Sequence, residues 1–224
     1  MLTADQISKT YFRKTGEANY FYAVAPTDLQ IPAGAVTVLT GKSGSGKTTL
    51  LHMLSGLLPP TEGRVWLDDT DLYSLKDAAL SRLRYERIGV VPQARSAVDT
   101  LTVLENIFLP SMIYGSPAPE KEAAAWLAEF EMSSLKGAMP HELSGGELRR
   151  MAIIRAVIRC PDVLFADEPT GDLDAENTAK VLSALSSYAH RENKAVFIVT
   201  HEQEAAGYAD RLLKMENGRI TEDP

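Results

Sequence analysis

Gly41-Lys42-Ser43-Gly44-Ser45-Gly46-Lys47-Thr48 is the stretch that decides the fold. An apolar, strand-like run from Val36 to Thr40 precedes it, and a helical pattern from Thr48 to Gly56 follows it. Glycines let a tight loop turn its backbone N–H groups toward an anion without clashes from Cβ atoms. The sequence therefore predicts a phosphate-binding loop between a strand and a helix.

Individual residues of this loop have distinct predicted roles. Lys47 supplies a positive charge for the β and γ phosphates of a nucleotide, and the Thr48 hydroxyl is a predicted ligand of Mg²⁺. The positive end of the helix dipole adds to the attraction for phosphate. The predicted nucleotide-binding residues of the loop are Gly41, Ser43, Gly44, Ser45, Gly46, Lys47, Thr48 and Thr49.

Short apolar runs along the chain indicate the class of fold. They are rich in β-branched residues and do not alternate with polar ones, which is typical of strands buried on both faces. The runs are Val36 to Thr40, Ile88 to Val91, Val163 to Ala166 and Ala195 to Thr200. Helical patterns lie between them, including one from Asn177 to Arg191. This alternation predicts an α/β domain with a mainly parallel core sheet.

The remaining segments complete the predicted architecture of one domain over residues 1–224. Residues 94–157 are predicted to form a helical subdomain with helices from Ala118 to Glu131 and from Gly146 to Arg159, so that residues 1–93 and 158–224 make the catalytic core. The first residues and Gly63 to Leu67 are predicted to form a small antiparallel sheet. A hairpin turning at Asn217-Gly218 is predicted near the end.

Charge and composition restrict the classes of function. The net charge of -7 and the pI of about 5.2 argue against broad binding to nucleic acid. Cys160 is the one cysteine, so no internal disulfide forms, and we expect this thiol to be a small buried residue. We find neither a signal-peptide pattern nor an apolar stretch of about 20 residues, so a membrane role requires a partner protein instead of direct insertion.

Two further motifs carry chemistry. The run from Val163 delivers Asp167 to the predicted Mg²⁺ site, and Glu168 follows where a water could be polarised for attack. Ser144-Gly145-Gly146 opens a helical pattern and predicts a second anion site, although Ser144 with Glu147 also fits an ordinary capping box. One nucleotide rarely needs two phosphate sites so distant in sequence. We therefore predict that the second site serves the nucleotide of another subunit.

Leu143-Ser144-Gly145-Gly146-Glu147, some twenty residues before a strand that ends in Asp-Glu, resembles the signature of ABC transporter ATPases. Other motifs of that family follow the expected order, with Gln93 as the Q-loop glutamine and His201 as the switch histidine. Asp172-Leu173-Asp174 resembles the D-loop. The resemblance covers essentially the whole chain and implies a P-loop ATPase fold that binds and hydrolyses ATP with Mg²⁺.

Residue roles follow from that resemblance. Glu168, His201 and Gln93 are implied to be catalytic, with Glu168 as general base and with Gln93 joining Thr48 and Asp167 at Mg²⁺. Asp174 is implied to contact the nucleotide. Tyr11 is implied to stack on adenine, with Phe12 and the Tyr20-Phe21-Tyr22 cluster as competitors. Two copies are implied to sandwich two ATP molecules, so that a single copy hydrolyses ATP poorly.

The segment Ala166-Asp167-Glu168-Pro169-Thr170-Gly171-Asp172-Leu173-Asp174 resembles the branch of the family that contains LolD, MacB and FtsE. This implies a homodimer bound to an integral membrane permease at the cytoplasmic face of the cell membrane. The implied work is export or extraction of a lipoprotein, peptide, drug or haem. An ATP-gated switch that controls cell-wall enzymes through the membrane partner is the alternative.

Overall fold

In a computed structural model of the chain, residues 1–12, 20–171 and 173–222 are described. The strands are β1 (Leu2–Phe12), β2 (Tyr20–Ile31), β3 (Ala35–Thr40), β4 (Glu62–Leu67), β5 (Thr70–Asp71), β6 (Ile88–Val91), β7 (Val163–Asp167), β8 (Ala195–Thr200), β9 (Arg211–Glu216) and β10 (Arg219–Glu222). The α-helices are α1 (Lys47–Leu54), α2 (Asp77–Arg87), α3 (Val103–Ile113), α4 (Glu120–Glu129), α5 (Gly145–Val157) and α6 (Ala175–Arg191).

The larger sheet has the strand order β10-β9-β3-β8-β7-β6 within the described ranges. Neighbours from β9 to β6 run parallel, and β10 pairs antiparallel with β9. The mainly parallel core sheet is therefore confirmed. Because the carboxyl ends of parallel strands meet at one edge, the loop after β3, Glu168 after β7 and His201 after β8 are brought to the same place.

A smaller antiparallel sheet has the order β2-β1-β4-β5, again among the described residues. Leu2 of β1 lies opposite Leu67 of β4, which confirms the predicted pairing of the first residues with Gly63 to Leu67. The hairpin between β9 and β10 is confirmed as well. Asn217 and Gly218 turn it with φ values of 49° and 77°, the left-handed conformation that suits a two-residue hairpin loop.

The two faces of the larger sheet bury two separate cores. Along β8, Val196 and Ile198 pack with apolar residues of α5 and α6, whereas Phe197 and Val199 pack toward α1 and the smaller sheet. Helix α1 therefore lies between the two sheets. Its Leu50, like Leu51 and Leu54, is fully buried, and each such side chain stabilises the fold by about 1.5–3 kcal/mol. This packing fixes the helix that begins at the phosphate-binding loop.

Helices α2 and α3 were not predicted from the sequence. Leu80 is the one residue of α2 counted as buried, so its apolar pattern is faint. Helix α3 contains Pro110, and Thr102 and Glu105 form a full capping box at its start. No described strand lies between Val91 and Val163. The division of the domain at residues 94 and 157 stays a prediction.

Two surface properties complete the description. None of the helices in the described part of the chain is both long enough and apolar enough to cross a membrane. Cys160 is exposed, so the prediction that it is buried is wrong. Its φ of 51° and the hydrogen bond from its N–H to the carbonyl of Val157 at 2.8 Å place it in the tight turn after α5.

Candidate functional site

A cavity of about 920 Å³ lies at the carboxyl edge of the parallel strands. Its lining comes from the segments that follow five strands of the larger sheet and from residues of β1 and β2 in the smaller sheet. The lining residues are Tyr11, Phe21, Tyr22, Ala23, Lys42, Ser43, Gly44, Ser45, Gly46, Lys47, Thr48, Thr49, Gln93, Glu168, His201, Asn217 and Gly218. The fold thus brings most of the predicted site residues to one place, and Gly41 adjoins it at the start of the loop.

The phosphate-binding loop requires glycine at position 46, directly before Lys47. Gly46 has a φ of 109°, and a Cβ atom there would lie 2.1 Å from the carbonyl oxygen of Ala23. An L-residue with a side chain would therefore displace the backbone of β2. The ammonium group of Lys47, a 7% exposed residue, donates to the carbonyl oxygens of Gly41 at 2.7 Å and Lys42 at 3.1 Å. It is held across the loop that it follows.

Neighbouring backbone also holds this loop. The N–H of Gly218 donates to the carbonyl of Ser45 at 3.0 Å, and the N–H of Ser45 donates to the carbonyl of Lys42 at 3.1 Å. The N–H of Ala25 in turn donates to the carbonyl of Gly218 at 2.8 Å. The β9–β10 hairpin therefore ties the phosphate-binding loop to β2.

Asp167 and Thr48 lie side by side at the start of α1. The Thr48 side chain is hydrogen-bonded to the Asp167 carboxylate, and Asp167 is 2% exposed. Burial raises the pKa of Asp167, an effect that the Thr48 hydrogen bond opposes. A hard cation would stabilise the ionised Asp167 carboxylate, and both the Thr48 hydroxyl oxygen and an Asp167 carboxylate oxygen could be its ligands. The pair therefore fits the predicted Mg²⁺ site.

Glu168 and His201 face each other across the cavity floor. Oε1 of Glu168 lies 2.9 Å from Nδ1 of His201, while Oε2 accepts from the Thr200 hydroxyl at 2.9 Å and from the His201 N–H at 3.3 Å. Glu168 is a non-glycine residue with φ of 49°, a conformation that costs about 1–2 kcal/mol. Its backbone N–H is fixed to the carbonyl of Val199 at 2.8 Å. The carboxylate is thus held in one orientation by the end of β8.

The Glu168 carboxylate raises the pKa of His201 above its ordinary value, first through their hydrogen bond and then through their charges. Because a carboxylate accepts hydrogen bonds, Nδ1 carries a proton in this pair. The second ring nitrogen, Nε2, is then left for a different partner. The raised pKa extends the pH range in which the ring is protonated at both nitrogens, and in that form Nε2 can donate to an anion in the cavity.

Gln93 lies two residues beyond β6, and its exposed side chain lines the cavity. Its backbone carbonyl accepts from a terminal nitrogen of Arg149 at 3.0 Å, and the other terminal nitrogen donates to Pro92 at 2.7 Å. Arg149 belongs to α5, the helix that begins at the Ser-Gly-Gly turn. The segment with Gln93 is thus hydrogen-bonded to that helix.

The aromatic residues that are candidates for stacking on a base differ in whether they line the cavity. Tyr11, which is 39% exposed, lines the cavity with Phe21 and Tyr22, and the Tyr11 and Phe21 ring centres are 6.1 Å apart. Phe12 and Tyr20 pair with each other and are absent from the described cavity lining. This placement favours Tyr11, with Phe21 and Tyr22 beside it, as a surface for a planar ring.

Several predicted residues lie outside the cavity of their own chain. None of Ser144, Gly145, Gly146 and Asp174 belongs to the lining among the described residues. Ser144 forms the capping box with Glu147, and Asp174 caps α6 by accepting from the N–H of Asn177 at 2.8 Å. Asp172 of the predicted D-loop lies outside the described residues.

Some lining residues were missed from the sequence. Ala23 and Lys42 line the cavity, as do the hairpin residues Asn217 and Gly218. The position of Lys42 within the glycine-rich loop was an available signal. The hairpin had no such signal, because its contact with the loop depends on β9 lying next to β3.

Comparison with known proteins agrees with this geometry. The family described as ABC transporter matches residues 24–171, more than half of the chain. The chain is 39% identical over 223 residues to the lipoprotein-releasing system ATP-binding protein LolD of Syntrophotalea carbinolica, covering 99% of this chain and 97% of that one.

Solved structures of the ABC transporter cassette MJ0796 of Methanocaldococcus jannaschii are also similar. Both its dimeric structure and its dimeric post-hydrolysis state bound to ADP and Pi match with a TM-score of 0.89 and 33% identity, covering 99% of this chain and 98% of that chain. The fold is that of an ABC ATPase cassette. The chain therefore belongs to the ABC transporter family, and it is an ATP-binding subunit with ATPase activity.

Proposed function

We propose that two copies of the chain pack head to tail, so that each ATP lies between the phosphate-binding loop of one copy and the Ser144-Gly145-Gly146 turn of the other. The observation that carries this proposal is that the turn lies outside the cavity of its own chain and is open to a ligand. Ser144 and Gly145 are exposed, and a Cβ built on Gly145 would meet no described atom within 4 Å beyond its chain neighbours and the backbone of its own helix. The N-terminus of a 13-residue helix at this turn would supply N–H groups to a phosphate. The similarity to a cassette whose structure is dimeric supports the pairing of two copies.

In the proposed mechanism, Glu168 accepts the proton of the water that attacks the γ-phosphate. Its carboxylate lines the cavity and is oriented by contacts with the end of β8. His201 donates through Nε2 to the γ-phosphate while Nδ1 stays on Glu168. Hydrolysis then weakens the contact between the two copies, and the dimer opens.

Thr48, Asp167 and Gln93 are the proposed ligands of Mg²⁺. No group of three or more His, Cys, Asp or Glu residues in the described ranges is placed to hold a metal by itself. That donor set suits an ion that relies on phosphate oxygens and water for its other ligands. When bound, Mg²⁺ neutralises charge on the β and γ phosphates, and Gln93 connects this site to α5 through Arg149.

Tyr11 is proposed to stack on adenine, and its replacement by alanine tests this role. Base–aromatic stacking contributes about 1–3 kcal/mol, so Tyr11→Ala is expected to weaken ATP binding by about 5- to 150-fold. Tripolyphosphate lacks adenine, and its affinity should stay within about twofold. Isothermal titration with both ligands measures the two effects.

Phe12→Ala is the matched control, because Phe12 is an exposed aromatic next in sequence that contacts Tyr20 instead of lining the cavity. We expect it to bind ATP as the wild type does. A larger loss of ATP affinity in Phe12→Ala than in Tyr11→Ala would transfer the stacking role to Phe12.

We propose further that the dimer serves a permease of the type that works with LolD, MacB and FtsE, for export or extraction of a substrate such as a lipoprotein. The LolD relative that spans almost the whole chain supports lipoprotein release. In this assembly the chain sits at the cytoplasmic face of the membrane through its partner. The helical part that includes α3 to α5 is the proposed docking region for the permease.

Affinity capture of the Glu168→Gln chain from detergent-solubilised native membranes tests this proposal. With ATP present, we expect to recover a permease with four membrane helices and a large extracytoplasmic domain. Lys47→Ala, which is expected to bind ATP weakly, is the control for ATP-dependent capture. A permease of a different architecture would reject the proposed branch, and recovery of cytosolic proteins alone would reject the transport role.

A further inference from the structure

Thr200 is a fully buried polar residue at the end of β8, directly beside the proposed catalytic pair. Its hydroxyl donates to Oε2 of Glu168 at 2.9 Å, and its oxygen accepts from the backbone N–H of Glu202 at 3.0 Å. Thr200 is absent from the lining of the nucleotide cavity among the described residues. Any effect on hydrolysis must therefore pass through a neighbour.

The direction of the hydroxyl proton follows from its two partners. A backbone amide only donates, so the N–H of Glu202 engages a lone pair of the Thr200 oxygen. The single O–H of Thr200 is then free to donate to the carboxylate, which only accepts when ionised. Thr200 is thus a donor of fixed direction, and a hydrogen bond to a charged acceptor is stronger than one between neutral groups.

The two oxygens of Glu168 are distinguished by these contacts. Oε2 is directed into the protein by the Thr200 hydroxyl and the N–H of His201, whereas Oε1 lies against the His201 ring. Without the hydroxyl, the carboxylate would lose its shorter anchor on the protein side, and its side-chain torsions would be less restricted.

A second contact ties this anchor to the next loop. The side chain of Glu202 accepts a hydrogen bond from the hydroxyl of buried Thr170, two residues after Glu168. The N–H that orients Thr200 therefore belongs to a residue whose carboxylate is held by the loop after β7. The chain of contacts from Thr170 through Glu202 and Thr200 returns to Glu168.

We propose that Thr200 is a positioning residue for ATP hydrolysis, holding the Glu168 carboxylate directed at the attacking water. This inference rests on the proposed role of Glu168 as general base. Thr200 itself is buried and lies outside the described lining of the cavity, so it acts through Glu168.

The test compares Thr200→Val, which keeps the shape and removes the hydroxyl, with Thr200→Ser, which keeps the hydroxyl. Loss of a hydrogen bond to a charged group predicts a fall in kcat of about 10- to 100-fold for Thr200→Val, with KM for ATP within about threefold. Thr200→Ser should recover kcat to within about threefold of wild type. Steady-state ATPase assays of the full-length chain over a series of protein concentrations give both constants.

The Glu168→Gln background distinguishes positioning from general damage. If Thr200 acts through Glu168, adding Thr200→Val to Glu168→Gln causes little further loss, because the two effects are not additive. An equal further loss in that background, an unchanged kcat in Thr200→Val, or failure of Thr200→Ser to recover activity would each overturn the proposal. Wild-type turnover in Glu168→Gln alone would instead remove the base assignment, a result that the single variant reports by itself.

Discussion

Glu168→Gln is expected to lower the ATP turnover of the chain by about 100- to 10,000-fold, the usual contribution of a general base. The substitution keeps the size of the side chain and one acceptor oxygen, but it replaces the other oxygen by an NH₂ donor and removes the basicity. ATP affinity should change by less than about threefold, since the phosphate-binding loop is untouched. Phosphate release under saturating ATP, with binding measured in parallel, gives both quantities.

The same variant should accumulate an ATP-bound dimer, which size-exclusion chromatography with light scattering detects. Glu204→Gln is the matched control, because it removes an exposed carboxylate from the turn that follows His201. We expect its turnover to equal that of the wild type. A Glu168→Gln chain that hydrolyses ATP at the wild-type rate would show that a different group accepts the proton.

Lys47→Ala is expected to weaken ATP binding at least about 100-fold. Both hydrogen bonds that the structure gives the ammonium group go to backbone carbonyls, so its charge is directed into the loop where phosphates would lie. Hydrogen bonds to charged groups contribute about 1.5–3 kcal/mol each, and contacts with two phosphates exceed a factor of 100 in affinity. Equilibrium titration with a fluorescent ATP analogue measures the loss.

Lys42→Ala is the control for Lys47→Ala, since Lys42 belongs to the same loop but is exposed. Its removal should weaken ATP binding by less than about fivefold, because a solvated charge contributes little. If Lys47→Ala binds ATP within about threefold of the wild type, or if Lys42→Ala loses as much, the assignment of Lys47 to the phosphates is incorrect.

The parallel sheet was predictable because its strands are buried on both faces. The predicted runs at Val36, Ile88, Val163 and Ala195 each coincide with a strand of the structure to within about one residue. Their spacing also predicted where the site lies, since chemistry-bearing residues end each run. The antiparallel pairing of the first residues was predicted from one short motif, and its register was not.

Helices α2 and α3 show where sequence reasoning failed. Helix α2 buries only Leu80, so its sequence has too little apolar periodicity to be distinguished from a loop. Its position depends on tertiary contacts that the sequence does not reveal. Helix α3 had a usable signal that was missed, since Thr102 and Glu105 are spaced as a capping box.

The residues of the candidate site also fall into two groups, those recognisable from a local motif and those revealed only by the tertiary structure. Lys47, Asp167 and Glu168 are recognisable because motif and context occur together in sequence. Thr200 and Gly218 act through contacts between segments far apart in the chain, and no local pattern distinguishes such a residue from an ordinary strand end or turn. Their roles became visible only with the topology of β8 and β9.

The bond from Gly218 to Ser45 has a consequence for the entropy of ligand binding. A glycine-rich loop left free in solution would sample many conformations, and fixing each residue costs about 1–2 kcal/mol. Here the hairpin turn and the Lys47 ammonium restrict the loop before any nucleotide arrives. The loop therefore loses its conformational entropy during folding and not on nucleotide binding, so more of the phosphate interaction energy appears as binding affinity.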